Sequence, residues 1–146
     1  MSALNDYYIS REVRRLRVAV GYFTRVPMGT ISGFSDGDLD HASRYLPWIG
    51  LGIGAIVAGV FGLSALWLPQ AAAAILAIVA GLLLTGCFHE DGLADVCDGF
   101  GGGFTVADKL RIMKDSRIGT YGASALWVVL SLRTAILAVV EPTLGA

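Results

Sequence analysis

The chain has 146 residues, 55% of them hydrophobic and only 16% charged, with a formal net charge of −1. A soluble domain carries about 25% charged residues, so this composition argues against an ordinary soluble globule and for one membrane domain. So small a net charge gives no reason to expect nucleic acid as a partner. Cys87 and Cys97 come with too few cysteine or histidine neighbours for a zinc centre. They are read as free thiols packed as small hydrophobes.

In chain order, residues 1–17 are polar and end in a basic cluster. No apolar core with a cleavage site follows, so no signal peptide is expected. From Ser10 to Tyr22, Arg11, Arg14, Arg15 and Arg17 alternate with Val13, Leu16 and Val20, and Phe23 continues the apolar spacing. That pattern predicts an amphipathic helix lying on a membrane surface. Pro27, Gly29, Gly33 and Gly37 break it into a loop. Asp36, Asp38 and Asp40 are expected to be solvated there and to cap a helix near His41–Tyr45.

Residues 47–68 carry no charge and are long enough to span a hydrocarbon core. Trp48 and Trp67 sit at the two ends, where interfacial aromatics belong. Gly50 and Gly54 have the spacing that permits close helix packing in lipid. Pro69 and Gln70 make a turn, residues 71–88 a second uncharged span, and residues 122–140 a third, interrupted by Arg133. An arginine there must face the site or snorkel. The predicted fold is all-α: a polytopic transmembrane helical bundle, one domain over 1–146, with an N-terminal amphipathic helix and a cytoplasmic acidic loop or helix. The arginines near the N-terminus and the basic residues of 89–121 both place those segments on the cytoplasmic side.

The polar segment 89–121 carries the chemistry. Asp91, Asp95 and Asp98 are spaced i, i+4, i+7. If the second span continues as a helix, they stack on one face. Like charges in a row near lipid require a compensating cation. Carboxylates without cysteine or paired histidine suit a hard divalent ion, magnesium first and manganese as the alternative. A remaining acid then serves a second ion or acts as general base. Acids at a helix C-terminus oppose its dipole, which argues against mere decoration. Gly101 and Gly102 leave room for a bulky substrate. Lys114 and Arg117, one helical turn apart with Ser116 between them, are the candidate phosphate-binding residues. Asp115 is expected to add a ligand or to pair with a cation, while Lys109 and Arg111 read as a solvated basic face. His89 reads as an interfacial polar residue. Carboxylates with metal beside cations for phosphate indicate phosphoryl or phosphodiester transfer.

Two long motifs carry a resemblance. They are His89-Glu90-Asp91-Gly92-Leu93-Ala94-Asp95-Val96-Cys97-Asp98-Gly99-Phe100-Gly101-Gly102-Gly103 and Ile112-Met113-Lys114-Asp115-Ser116-Arg117-Ile118-Gly119-Thr120-Tyr121-Gly122. With Phe23-Thr24-Arg25-Val26-Pro27 and the run from Tyr45 to Gly54, the chain closely resembles the cobalamin synthase, or adenosylcobinamide-GDP ribazoletransferase, family. The resemblance implies a magnesium-dependent, multi-pass enzyme of the cell inner membrane. It would join α-ribazole or its 5′-phosphate to adenosylcobinamide-GDP, release GMP and give adenosylcobalamin or its 5′-phosphate. On that analogy Glu90, Asp91, Asp95 and Asp98 hold the metal, and the ribazole is activated near Asp91, Asp95 or Asp98. Lys114, Ser116 and Arg117 would hold phosphates.

Members of that family are longer and have more spans. The resemblance therefore implies an N-terminal portion: a fragment, a truncated gene product, or a piece that takes its remaining helices from a partner or a second copy. The acidic spacing also resembles the CDP-alcohol phosphotransferases, without their final aspartate pair. Two other readings are a membrane cation carrier, which requires acids along a path through the spans, and an assembly subunit with an acidic docking loop.

Overall fold

The computed structural model describes residues 2–30 and 36–140, with side chains for 10–30 and 37–140. Gly33, the side chain of Asp36 and the tail 141–146 lie outside the described residues. Every regular element among those described is helical: α1 (Ser2–Phe23), α2 (Asp36–Ala42), a short 3-10 turn (Ser43–Tyr45), α3 (Leu46–Ala65), α4 (Gln70–Thr85), α5 (Phe88–Gly102), α6 (Val106–Met113) and α7 (Thr120–Leu137).

The predicted amphipathic helix is present and longer than the sequence pattern indicated. Its charged side is partly spent inside the chain. Arg14 pairs with Asp38 at 3.0 Å, and Glu12 accepts from Arg15 and from the Tyr45 hydroxyl. So Asp38, expected to be solvated, ties α1 to α2. Val18, Ala19, Ala42 and Ile49 form a small buried core where α1, α2 and α3 meet.

α3 and α4 form the predicted hairpin, turning at Pro69, which stands at the N-cap of α4. Ala73, Ala74, Ala77 and Ile78 bury one face of α4, which packs on both α3 and α7. Large apolar side chains remain on the outside. Trp67 is 87% exposed, Trp127 73% and Leu63 68%. A soluble chain rarely leaves such area to water, whereas lipid covers it at no cost. Helices 37–65 and 120–137 are each long and apolar enough to cross a membrane. The chain is thus an all-α membrane protein.

The second span departs from expectation. The stacking of the acids on one face was conditional on that span continuing through them as one helix. Instead α4 ends at Thr85, and α5 leaves it at 88°. α4 alone has 16 residues, about 24 Å at 1.5 Å per residue, short of the ~30 Å core. α4 and α5 count as a third span only if the bent pair is taken together.

The cause is local. Gly86 and Cys87 both adopt left-handed backbone, at φ 65° and 61°. Both of their amides turn back on the Leu82 carbonyl, closing the end of α4. The Phe23–Pro27 stretch braces this corner. The Arg25 amide donates to the Leu84 carbonyl at 2.8 Å, and the Arg25 side chain lies where a Cβ on Gly86 would stand. Phe88 packs edge-on against Tyr22 and Phe23, with ring centroids 5.7 and 5.8 Å apart. The end of α1 therefore fixes where α5 begins.

Candidate active site

The bend changes the electrostatic reading of the acids. They do not crown the C-terminus of a span. Glu90 and Asp91 lie in the first turn of α5, where the helix dipole favours negative charge. The dipole objection to a merely solvated row therefore falls away, and the partners of each acid become the deciding evidence.

Glu90, Asp91, Asp95 and Asp98 line one cavity of about 500 Å³, and Lys114, Asp115, Ser116 and Arg117 line its other side. The two motifs, separate in sequence, thus face each other. The α6–α7 loop carries the second group, and the α5 helix carries the first. Leu82, Leu126 and Leu130 make the cavity's apolar wall.

The acids fall into two kinds. Asp91 and Asp95 have no hydrogen-bond or ion-pair partner among the described residues, and neither does the Lys114 ammonium opposite. Glu90 is half satisfied. Its Oε1 accepts from Arg133 Nη1 at 3.2 Å, while its buried Oε2 has no partner. Arg133 thus faces the site from α7. An orphaned buried oxygen costs about 1–3 kcal/mol, so this arrangement favours a ligand that supplies a positive or donating group.

Asp98 and Asp115 are the satisfied kind. Asp98 is buried, and its Oδ2 accepts from the Gly119 amide at 2.7 Å and its Oδ1 from the Gly122 amide at 2.8 Å. Asp115 holds Arg117 through both oxygens, with Arg117 Nη2 donating at 2.6 Å and Nε at 3.0 Å. The Arg117 guanidinium and amide hold the Asp115 carboxyl down from its ordinary 3.8 to about 2. Arg117 is 86% exposed, so a phosphate approaching from the cavity competes with Asp115 for an accessible guanidinium.

Among the described residues no three acidic, histidine or cysteine side chains converge into a ready-made metal cage. Magnesium takes one or two carboxylates completed by substrate oxygens and water. The unpartnered Asp91, Asp95 and Glu90 Oε2 fit such a partial site. Asp98, with both oxygens engaged, fits it less well.

The glycines serve packing more than substrate. Gly101 does not line the cavity; a Cβ there would overlap the Tyr121 ring. Gly102 lines an adjoining groove of about 480 Å³ that shares Asp98, Asp115 and Arg117 with the cavity. A Cβ on Gly103 would overlap the Gly99 carbonyl and the Lys109 amide, so α6 folds back tightly on α5. α6 opens with a capping box, in which the Asp108 amide donates to Thr105 Oγ1 at 3.1 Å and the Thr105 amide donates to Asp108 Oδ2. The Thr105 hydroxyl keeps the Asp108 carboxyl below its ordinary value.

The remaining expectations resolve simply. Lys109 sits over the Phe100 ring at 4.3 Å, and Arg111 pairs with Asp108 at 3.7 Å. His89 is exposed and lies outside the cavity lining. Cys87 and Cys97 are free as expected but not packed away: Cys87 is exposed and Cys97 half-buried. Sequence reasoning left Arg133 undecided and gave no role to Arg25. The intramembrane charge was the available signal for the first; the second stood in the Phe23–Pro27 motif, which carried the resemblance but no role for it.

Comparison with known proteins adds identity to this geometry. Residues 15–146 match the family described as cobalamin-5-phosphate synthase. The adenosylcobinamide-GDP ribazoletransferase of Shewanella sp. (strain ANA-3) is 53% identical over 127 residues, covering 87% of this chain and 48% of that protein. The protein of the same name from Shewanella frigidimarina is 54% identical, covering 87% and 49%. That of Shewanella baltica (strain OS195) is 52% identical, covering 87% and 48%. The chain spans about half the length of these curated relatives. No solved structure matches it. The chain belongs to the cobalamin-5-phosphate synthase family.

Proposed function

We propose that the cavity between α5 and the α6–α7 loop is the phosphoryl-transfer site of an adenosylcobinamide-GDP ribazoletransferase. The observation that carries this is the pairing across one cavity of unsatisfied acids, Asp91, Asp95 and Glu90 Oε2, with an unsatisfied cation, Lys114. Neither side is compensated by the chain itself, and a divalent metal with a diphosphate compensates both.

In this reading a ribazole hydroxyl attacks the phosphorus that bears the cobinamide. The bond from that phosphorus to GMP breaks, and GMP leaves with its negative charge. Whichever of Asp91 and Asp95 is not engaged by the metal would accept the hydroxyl proton. Magnesium or manganese, drawing its ligands from Glu90, Asp91 and Asp95, would neutralise charge on the phosphate oxygens. Lys114 and Ser116 bind the diphosphate from the opposite wall. Arg117 exchanges Asp115 for a phosphate oxygen, keeping two parallel hydrogen bonds. Leu82, Leu126 and Leu130 give the cavity one apolar side.

The same reading places the protein in the cell inner membrane, with its N-terminus and the α5–α6 segment on the cytoplasmic side. The open faces of α3 and α7 are where the remaining half of the relatives' length, or a second copy, would pack.

The test is GMP release in membranes holding this chain, supplied with adenosylcobinamide-GDP, α-ribazole and magnesium. Release that stops with chelator and with Asp95→Asn supports the site. Release undiminished in Asp95→Asn removes it.

A further inference from the structure

We infer that Asp98 is a positioning residue, a latch that holds the phosphate-binding loop against the acidic helix, and not a ligand of the metal. The inference deepens the site proposed above and rests on that reading.

Asp98 sits on the third turn of α5, more than 20 residues before its partners, which are the backbone amides of Gly119 and Gly122. Those amides belong to the start of α7, where Gly119 is the N-cap. The first amides of any helix lack partners within it. Asp98 satisfies two of them from a neighbouring helix, and its charge suits the positive end of the α7 dipole. With one hydrogen bond to each oxygen and 9% exposure, the carboxylate is engaged by α7 even though the residue lines the cavity.

The two glycines are part of the device. A Cβ on either would overlap the Asp98 carboxylate. Gly119 shows this most cleanly: its backbone, φ −94° and ψ 179°, is open to any residue, and the three atoms nearest its Cβ position all belong to the Asp98 carboxylate. Glycine there makes room for Asp98. Lys114 to Arg117 lie immediately upstream of the latched amides, so their distance from Asp91 and Asp95 depends on it.

A latch and a ligand give opposite results in two variants. Asp98→Asn keeps the shape but puts an amide NH2, which cannot accept, where one oxygen stood, so one of the two hydrogen bonds is lost and the other loses its charge. Gly119→Ala keeps the carboxylate and obstructs its seat. The full chain, purified in lipid nanodiscs, is titrated with Mn2+ alone and then with inorganic pyrophosphate in the presence of Mn2+. Both variants are expected to bind Mn2+ like the unaltered chain and to bind pyrophosphate about tenfold more weakly, the scale of a lost charged hydrogen bond. General destabilisation would lower both affinities together. Loss of Mn2+ binding in Asp98→Asn, or unchanged pyrophosphate binding in Gly119→Ala, overturns the latch.

Hydrogen exchange without ligand separates this from failure of the site itself. The Gly119 and Gly122 amides should exchange about tenfold faster in Asp98→Asn. Unchanged exchange also overturns the latch. A chain with both amides protected that takes up neither Mn2+ nor pyrophosphate instead overturns the proposed site, and with it any positioning role.

Discussion

Two glycine-rich regions of this chain use glycine in opposite ways. In α3, a Cβ at Gly50, Gly52, Gly54 or Gly59 would meet nothing within 4 Å. In the unit of α5, α6 and the start of α7, a Cβ at Gly99, Gly101, Gly103, Gly119 or Gly122 would overlap a neighbour. The small-residue spacing of α3 was expected to bring helices together, yet within this chain that face is open. Among the glycines that do bring helices together is Gly101, which the sequence reading assigned to substrate space. Glycine in the polar unit is what lets an acidic helix, a capped short helix and a cation-bearing loop close on one cavity.

Substitutions sharpen the contrast. Gly103→Val should be the most damaging, because its Cβ meets backbone, the Gly99 carbonyl and the Lys109 amide, which cannot move aside. Overpacking of this kind costs about 1–3 kcal/mol, and the upper end is expected in unfolding of the purified protein. Gly86→Val should cost about 1–2 kcal/mol from left-handed backbone alone, and it displaces Arg25 as well. Edge contacts of Phe88 with Tyr22 and Phe23 should loosen with it, visible as increased proteolysis near residue 86. Gly54→Ala should do the reverse, raising stability by about 0.5–1 kcal/mol, since a helical glycine with open space loses only flexibility. A destabilised Gly54→Ala protein would mean that the α3 face is already covered.

The smallest effect concerns pH. Asp115 titrates at about 2, below its ordinary 3.8, because Arg117 holds its carboxylate. A lowered carboxyl contributes stability that is fully present above the ordinary value and lost as pH falls through the folded one. The Asp115–Arg117 pair should therefore stay intact from pH 7 down to 4 and open only as pH falls toward about 2. The Asp115 carboxyl carbon shift follows this directly. A midpoint near 4 would show that the pair is not formed in solution.

Much of this architecture was legible before any coordinates. Apolar runs gave the α3–α4 hairpin and, despite Arg133, α7, because a lipid-facing helix must be largely apolar. The acidic row and the Lys114–Arg117 pair were legible because the residue types themselves carry the chemistry. The bend at Gly86–Cys87 was not. Cysteine gives no sign that it will adopt left-handed backbone, and the bracing comes from Arg25, about 60 residues away in sequence by the ordinary logic of tertiary override. The division of labour among the acids was also hidden. Asp91 and Asp98 share a helical face by spacing, but Asp98 finds its partners on α7. Only tertiary contact separates a carboxylate awaiting a ligand from one already spent. Glu90 was placed at the site by resemblance, whereas its pairing with Arg133 needed α7 packed against α5.

The central claim is that unpartnered carboxylates on α5 exist to bind a divalent ion opposite Lys114. Mn2+ uptake by the purified chain, followed by electron paramagnetic resonance, tests it most directly. The account predicts saturable uptake that weakens at least about tenfold in Asp95→Asn, as expected when a metal-binding group is lost. Equal uptake by the two proteins, or none by either, would contradict it.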